Sequence, residues 1–274
     1  KQPLGAFQTL TVGVSFNDGT FELGPEVAHE KLVKKIELAA SIAAGILPAL
    51  LAFFIMHKRW RDFGNDPKGR GVIIPEYEPP KGFNVLTSNV LLEQKLSTKA
   101  FSAAIIELAV GGYLIIREIS NKKKLRPDTI DYELEIAKNP TGLSSELAEA
   151  INAVIGGETI GTKVTISKIT SSASERSAIY KKITKLSSDM AEKLSQAGYF
   201  VKNPQKVRNG YIGWSVGALV LGGFIAFLFP PLGVGLLIAG VIIGLFAWIM
   251  PARTEAGVAA HDALLGLKDY IKLA

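Results

Sequence analysis

"YIGWSVGALVLGGFIAFLFPPLGVGLLIAGVIIGLFAWIM", residues 211–250, runs for 40 residues without an Asp, Glu, Lys or Arg. A helix rises about 1.5 Å per residue, so roughly 20 apolar residues cross a hydrocarbon core of about 30 Å. The stretch is long enough for two crossings. Pro230-Pro231 divides it into near-equal halves. The first proline has no amide hydrogen to donate, and the second disfavours helical geometry in the residue before it, so the chain turns there. The expectation is a helical hairpin, with spans over 211–229 and 232–250 and almost no loop.

Toward the N-terminus, "LAASIAAGILPALLAFFIM", residues 38–56, gives 19 further residues without a charge. A soluble amphipathic helix would show a polar stripe, and none is present, so this reads as a third span, with Pro48 expected to kink it. None of the three spans has a charged side chain, whereas a path for ions or solutes normally needs one. They have small residues instead. Gly213 and Gly217 form G-x-x-x-G, as do Gly240 and Gly244, and Ala40 and Ala44 give the looser small-residue form. Such faces let helices approach closely, which predicts a packed anchor in the bilayer and a route to homo-oligomers.

The chain has 274 residues, with 31 Lys+Arg against 25 Asp+Glu, a net charge of +6. Lys58, Arg59 and Arg61 follow the first span, Lys202, Lys206 and Arg208 precede the second, and Arg253 follows the third. By the positive-inside rule, residues 57–210 and the C-terminus face the cytoplasm and the N-terminus lies outside it. Lys31, Lys34 and Lys35 oppose that orientation and are partly offset by Glu30 and Glu37. The hairpin nonetheless places the middle segment and the tail on one side, where the bases dominate. Residues 57–210 hold 24 Lys+Arg and 17 Asp+Glu, so topology accounts for the positive charge without a nucleic-acid partner. The chain has no cysteine, which excludes disulfides and thiolate metal sites.

Between the spans the pattern is α+β. Residues 6–23 alternate apolar and polar around Asn17-Asp18-Gly19, which reads as the last hairpin of an extracytoplasmic β-domain ending near residue 25. Residues 26–37 read as a juxtamembrane helix. Residues 57–83 are rich in Pro and Gly and read as a membrane-exit linker. In it, Trp60 and Arg61 would sit at the interface and Asp66-Pro67 would turn the chain, while Pro79 and Pro80 would stiffen a path that Tyr77 grips by packing. Residues 84–202 read as one cytoplasmic domain. A helix over 96–110, capped by Ser97 or Thr98 and ended by Gly111-Gly112, is followed by the strand "YLIIREI", a turn and a returning strand. Helix then hairpin is the core arrangement of a winged helix. Lys122, Lys123 and Lys124 would occupy the wing tip. A helix over 145–155, a short strand "TKVTISKI" and a helix over 172–197 come next. Residues 251–274 read as a cytoplasmic tail. "ELAVGGYLI" and "KLSQAGYFV" share L-x-x-x-G-Y, which suggests one helix-to-strand corner built twice.

No catalytic constellation emerges. "GGETIGTK", residues 156–163, has phosphate-loop spacing but the wrong Thr-Lys order, and a helix precedes it where a strand is needed. His29, His57 and His261 are the only histidines, and no two have metal-site spacing on one helix. Neither an enzymatic activity nor a cofactor is expected.

Several landmarks resemble the YciQ-like family of uncharacterised prokaryotic multi-pass membrane proteins. They are Trp60, Gly64, Asp66-Pro67, "EYEPP" (76–80) with Gly82, "LAVGGYL" (108–114), "GYF" (198–200), "RTEAG" (253–257) and "LLGLKDYI" (264–271). Asn65 and the "FNVLTS" after Gly82 depart from the family's usual pattern. The resemblance implies an extracytoplasmic β-sandwich before residue 1 and a continuation beyond Ala274. It implies no activity. The sequence thus reads as a membrane anchor that presents a winged-helix-like module for protein interaction or sensing. A transporter or channel component and a membrane-tethered nucleic-acid binder using Lys122, Lys123 and Lys124 are the alternatives.

Overall fold

The computed structural model describes residues 11–17, 25–121, 129–157 and 159–273. Three of its helices are long and apolar enough to cross a membrane. The first, α1, spans Pro25–Arg59, so the charged juxtamembrane segment and the apolar run form one helix. Pro48 lies inside α1 and does not end it. Trp60–Gly64 then widens into a π-helical turn before Asn65 becomes extended. Residues 11–17 form no strand, and the remainder of the predicted N-terminal hairpin lies outside the described residues.

The soluble part is mostly helical. Helix α2 (Val85–Glu93) begins with a capping box: Asn84 Oδ1 accepts from the Thr87 amide at 2.9 Å, and Thr87 Oγ1 accepts from the Asn84 amide at 2.8 Å. Helix α3 (Thr98–Val110) is capped by Ser97, whose hydroxyl accepts from the Ala100 amide. Strands β1 (Leu114–Asn121) and β2 (Thr129–Ile136) pair antiparallel, with Leu114 opposite Ile136. The wing-tip lysines Lys122, Lys123 and Lys124 fall between them, outside the described residues. Helix α4 (Ser145–Ile155) comes next, and β3 (Lys163–Thr165) completes a sheet of order β1-β2-β3.

"TKVTISKI" is only half a strand. Ile166–Thr170 is a short helix, α5. Asp131 on β2 turns the chain there, accepting from the Ser167 amide at 3.0 Å and from its hydroxyl. That hydroxyl holds the Asp131 carboxyl below its ordinary range. Helix α6 (Ala173–Gln196) then leads into α7 (Pro204–Leu228).

α7 and α8 (Pro230–Ile249) form the expected hairpin, joined by Phe229 alone, with Pro230 and Pro231 in the first turn of α8. α8 lies between α1 and α7 and packs on both. The segment read as a C-terminal tail is built into the soluble part over Glu255–Leu273. Glu255–Leu273 is a ninth described helix, α9, and its Leu264 is 3% exposed in the same core as Leu86, Leu108, Leu134, Ile151, Met190 and Phe200. Burying each such side chain stabilises by roughly 1.5–3 kcal/mol, so α9 is an integral element of the α+β unit.

Candidate functional site

The two Leu-x-x-x-Gly-Tyr corners have the same backbone. At the first, the Tyr113 amide donates to Leu108 O at 2.9 Å and the Gly112 amide to Ala109 O at 3.0 Å. At the second, the Tyr199 amide donates to Leu194 O at 2.9 Å and the Gly198 amide to Ser195 O at 3.0 Å. Both are Schellman closures, and Gly112 (φ 73°) and Gly198 (φ 82°) take the left-handed geometry that glycine accepts without a Cβ penalty. The first corner opens into β1. The second forms a single bridge, Phe200 with Arg253, so no strand starts at Tyr199.

That bridge opens a junction at the membrane end of the unit. The Arg253 side chain is 11% exposed. Its Nη1 donates to Asp66 Oδ2 at 2.9 Å, while the Arg253 amide donates to Asp66 Oδ1 at 2.6 Å. Nε and Nη2 donate to Leu91 O at 3.1 and 2.9 Å, and Nη2 also reaches Leu92 O at 2.8 Å. One guanidinium therefore satisfies the open carbonyls at the C-terminus of α2 and the carboxylate of the membrane-exit segment. The Val201 amide donates to Ala252 O and the Thr254 amide to Tyr199 O, both at 3.1 Å. Gln94, the left-handed cap of α2, reaches Pro251 O through Nε2 at 3.2 Å.

A second seam ties α6 to α7. Asn203 is 4% exposed. It caps α7 through Oδ1 and donates through Nδ2 to Ser188 O at 3.1 Å and Glu192 Oε2 at 2.9 Å. Asn203, then Lys206, holds the Glu192 carboxyl below its ordinary range. On α9, burial and then the Arg253 charge push His261 below its ordinary value, against the pull of Asp262 and Asp66. Among the described residues, no three of His, Asp or Glu gather as metal ligands would.

The predicted residues divide sharply. Asp66 belongs to the junction, and Pro67 beside it is half-buried. Trp60 borders Gly64, where a Cβ would lie 2.9 Å from the indole and 3.1 Å from Met250 O. Arg61 is exposed beside Asp62 at 3.7 Å. The linker meets the 84–202 segment at its end, where Phe83 lies edge-on to Tyr199 with centroids 5.2 Å apart. It runs along α9, where a Cβ on Gly266 would sit 2.0 Å from Ile74 O and 3.2 Å from the Glu76 amide. Tyr77 is 71% exposed and its only described grip is an edge contact to Tyr270, with centroids 4.7 Å apart. Pro79 is exposed, and Pro80 accepts from the Phe83 amide in the turn before α2.

Of the small-residue faces, Gly240 and Gly244 lie in the hairpin interface, where a Cβ would come 2.9 Å from Leu219 and from Ser215 Oγ respectively. Gly213 and Gly217 do not, since a Cβ at either meets nothing within 4 Å. Within the three spans the tightest contacts involve glycines outside both motifs. A Cβ on Gly233 would be 2.2 Å from the Ala226 backbone, and one on Gly235 would be 2.5 Å from Gly45 O on α1. Ser215 Oγ donates to Gly240 O at 2.7 Å. In the sequence Arg253 stands out as a charge beyond a span and as the first residue of the RTEAG landmark, with no partner indicated. Its partners at 66 and 91–92 are too distant in the chain to leave a local signal.

A family model described as "Predicted membrane protein (DUF2207) C-terminal domain" matches residues 73–272, so the chain belongs to that membrane-protein family. No curated protein and no solved structure in the comparisons matches it.

Proposed function

We propose that this DUF2207 family member is a membrane-anchored scaffold or sensor, without a reaction of its own, that holds a winged-helix-like α+β unit at the cytoplasmic face for a protein partner. The observation behind this reading is the Arg253 junction. A half-buried guanidinium clamps the exit of α1, the end of α2 and the corner before α7, so the soluble unit cannot swing freely on the membrane helices. Such fixation suits a module whose orientation matters to a partner. Several motifs behind the YciQ-like resemblance meet at this junction or farther along α9. Asp66 meets Arg253, Gly257 lies against Tyr199, and Gly266 lies against Ile74. The helix α3 followed by the β1–β2 ladder supports the winged-helix-like description. The bases flanking the spans support the cytoplasmic orientation.

The unit so held presents a groove of about 640 Å³ between α2, α3 and α9, lined in part by Phe83, Leu92, Ala103 and Leu267. Glu107 also lines it, and its Oε2 is buried with no hydrogen-bond partner among the described residues. An apolar groove with one unanswered acceptor suits a partner that brings an apolar side chain and a donor. Because Leu264 completes the core, the test uses the full chain. A photo-crosslinking residue placed at Ala103 should trap a discrete protein adduct in cells, and one at exposed Lys181 should not. Identical patterns at both positions, or reconstituted solute flux abolished by Gly240→Leu, would contradict the reading.

A further inference from the structure

The strongest unassigned feature is a second groove, of about 420 Å³, where the three spans end. Arg59 borders it from the end of α1, Lys202 and Lys206 from the approach to α7, and Met250 and Ala252 from the exit of α8. Its lining holds three bases and no carboxylate. Among the described residues, Arg59 and Lys202 make no ion pair. Lys206 pairs with Glu192 at 3.1 Å from outside the groove, and its side chain remains 69% exposed.

The chemistry is graded along α7. Lys206, Gly210 and Trp214 recur every fourth residue and so share one face. Lys206 and Trp214 are separated by about 12 Å along the axis. Gly210 leaves the space between them open, since a Cβ there meets nothing within 4 Å. Two large rings stand out at the groove, Trp214 at 76% and Phe63 at 73% exposed. A basic rim above an open apolar slot with an exposed indole at its deep end matches an amphiphile standing upright. Its phosphate would meet the bases and its chain would pass Gly210 toward Trp214. Aromatic rings and bases favour the same membrane boundary.

We propose that this groove is a binding site for one anionic phospholipid, its phosphate held by Arg59, Lys202 and Lys206 and one acyl chain laid over Gly210. The site deepens the membrane assignment, not the partner reading, and does not depend on which leaflet it faces.

The test uses the full chain in nanodiscs of phosphatidylcholine with and without phosphatidylglycerol, followed by native mass spectrometry of the lipid retained on release. The native chain should keep a single phosphatidylglycerol in preference to phosphatidylcholine, and millimolar inorganic phosphate should not displace it. Arg59→Gln, Lys202→Gln and Lys206→Gln together should weaken retention by about a hundred-fold, and each alone by about five-fold. Gly210→Leu, which keeps every charge and enters open space, should abolish the preference while leaving melting in detergent unchanged. Lys168→Gln, Lys181→Gln and Lys185→Gln together remove the same charge elsewhere and should change nothing. Equal retention of the two lipids, native retention in Gly210→Leu, or a matching loss in the control triple would overturn the proposal. Displacement by phosphate alone would assign the bases to a soluble anion and overturn it as well.

Discussion

Two corners of this molecule share one local design and end differently. At Gly112-Tyr113 and at Gly198-Tyr199 a helix closes through the same pair of backbone hydrogen bonds around a left-handed glycine. After the first, Leu114 enters a full antiparallel ladder with β2. After the second, Phe200 makes one bridge to Arg253 and the chain proceeds into a membrane helix. Local sequence specifies the closure. The course of the chain beyond it is set by the partner waiting in space, a strand in one case and the Arg253 junction in the other.

The largest break in this comparison should come at the second corner. A Cβ on Gly257 would lie 1.9 Å from Tyr199 O, a backbone atom that cannot step aside without moving the corner. Gly257→Leu should therefore destabilise the unit by about 3 kcal/mol or more in a denaturant melt. Arg253→Met removes the charge and leaves Asp66 and the Leu91 and Leu92 carbonyls without their donor. A loss of about 3 kcal/mol is expected, and a loss below about 0.5 kcal/mol, the scale of an ordinary surface change, would remove the junction from the account.

Replacing the cap glycines isolates the part the corners have in common. Gly112→Ala and Gly198→Ala should each cost about 1–2 kcal/mol, and by similar amounts, because both force a Cβ into left-handed geometry and neither Cβ would meet another atom within 4 Å. A large inequality would show that the shared hydrogen bonds are not the main stabilising feature of one of them.

The smallest effect is a pH difference confined to the second corner. His261 is held below its ordinary value of 6.5, so between the two values the unfolded chain binds the extra proton. Stability from this group is present above about pH 6.5 and falls as pH drops through the lowered folded value. The acid limb of a melting-temperature profile should be shallower in His261→Gln than in the native chain.

Sequence reading reaches as far as local physics does. The spans, the Pro230-Pro231 turn, the Ser97 cap and both glycine closures are written in short windows, because each depends on neighbours within about one helical turn. Helix α2 escapes such a reading. Its capping box uses Asn84 with Thr87, not the commoner Ser/Thr with Glu, and its Val85, Thr87 and Val90 favour strands locally. Leu86, Val90 and Leu91 are fully buried, so packing overrides that preference. The path of the linker escapes as well, since nothing near Tyr77 announces Gly266. The G-x-x-x-G pattern identifies a small face without saying which face is used, and so Gly213 and Gly217 look equivalent to Gly240 and Gly244 until the helices are placed. Arg253 is the extreme case, since its place after a span and in RTEAG is legible while its partners Asp66, Leu91 and Leu92 lie more than 160 residues away in the chain.

On the proposed reading, the Arg253 junction fixes the soluble unit on the membrane helices. The chain has no native cysteine, so spin labels can be placed by Lys58→Cys at the end of α1 and Lys185→Cys on α6, both exposed positions. Pulsed electron spin resonance in nanodiscs should give one narrow distance distribution in the otherwise native chain and a clearly broader one when Arg253→Met is added. A broad distribution with Arg253 in place, or a narrow one that survives its replacement, would contradict the claim.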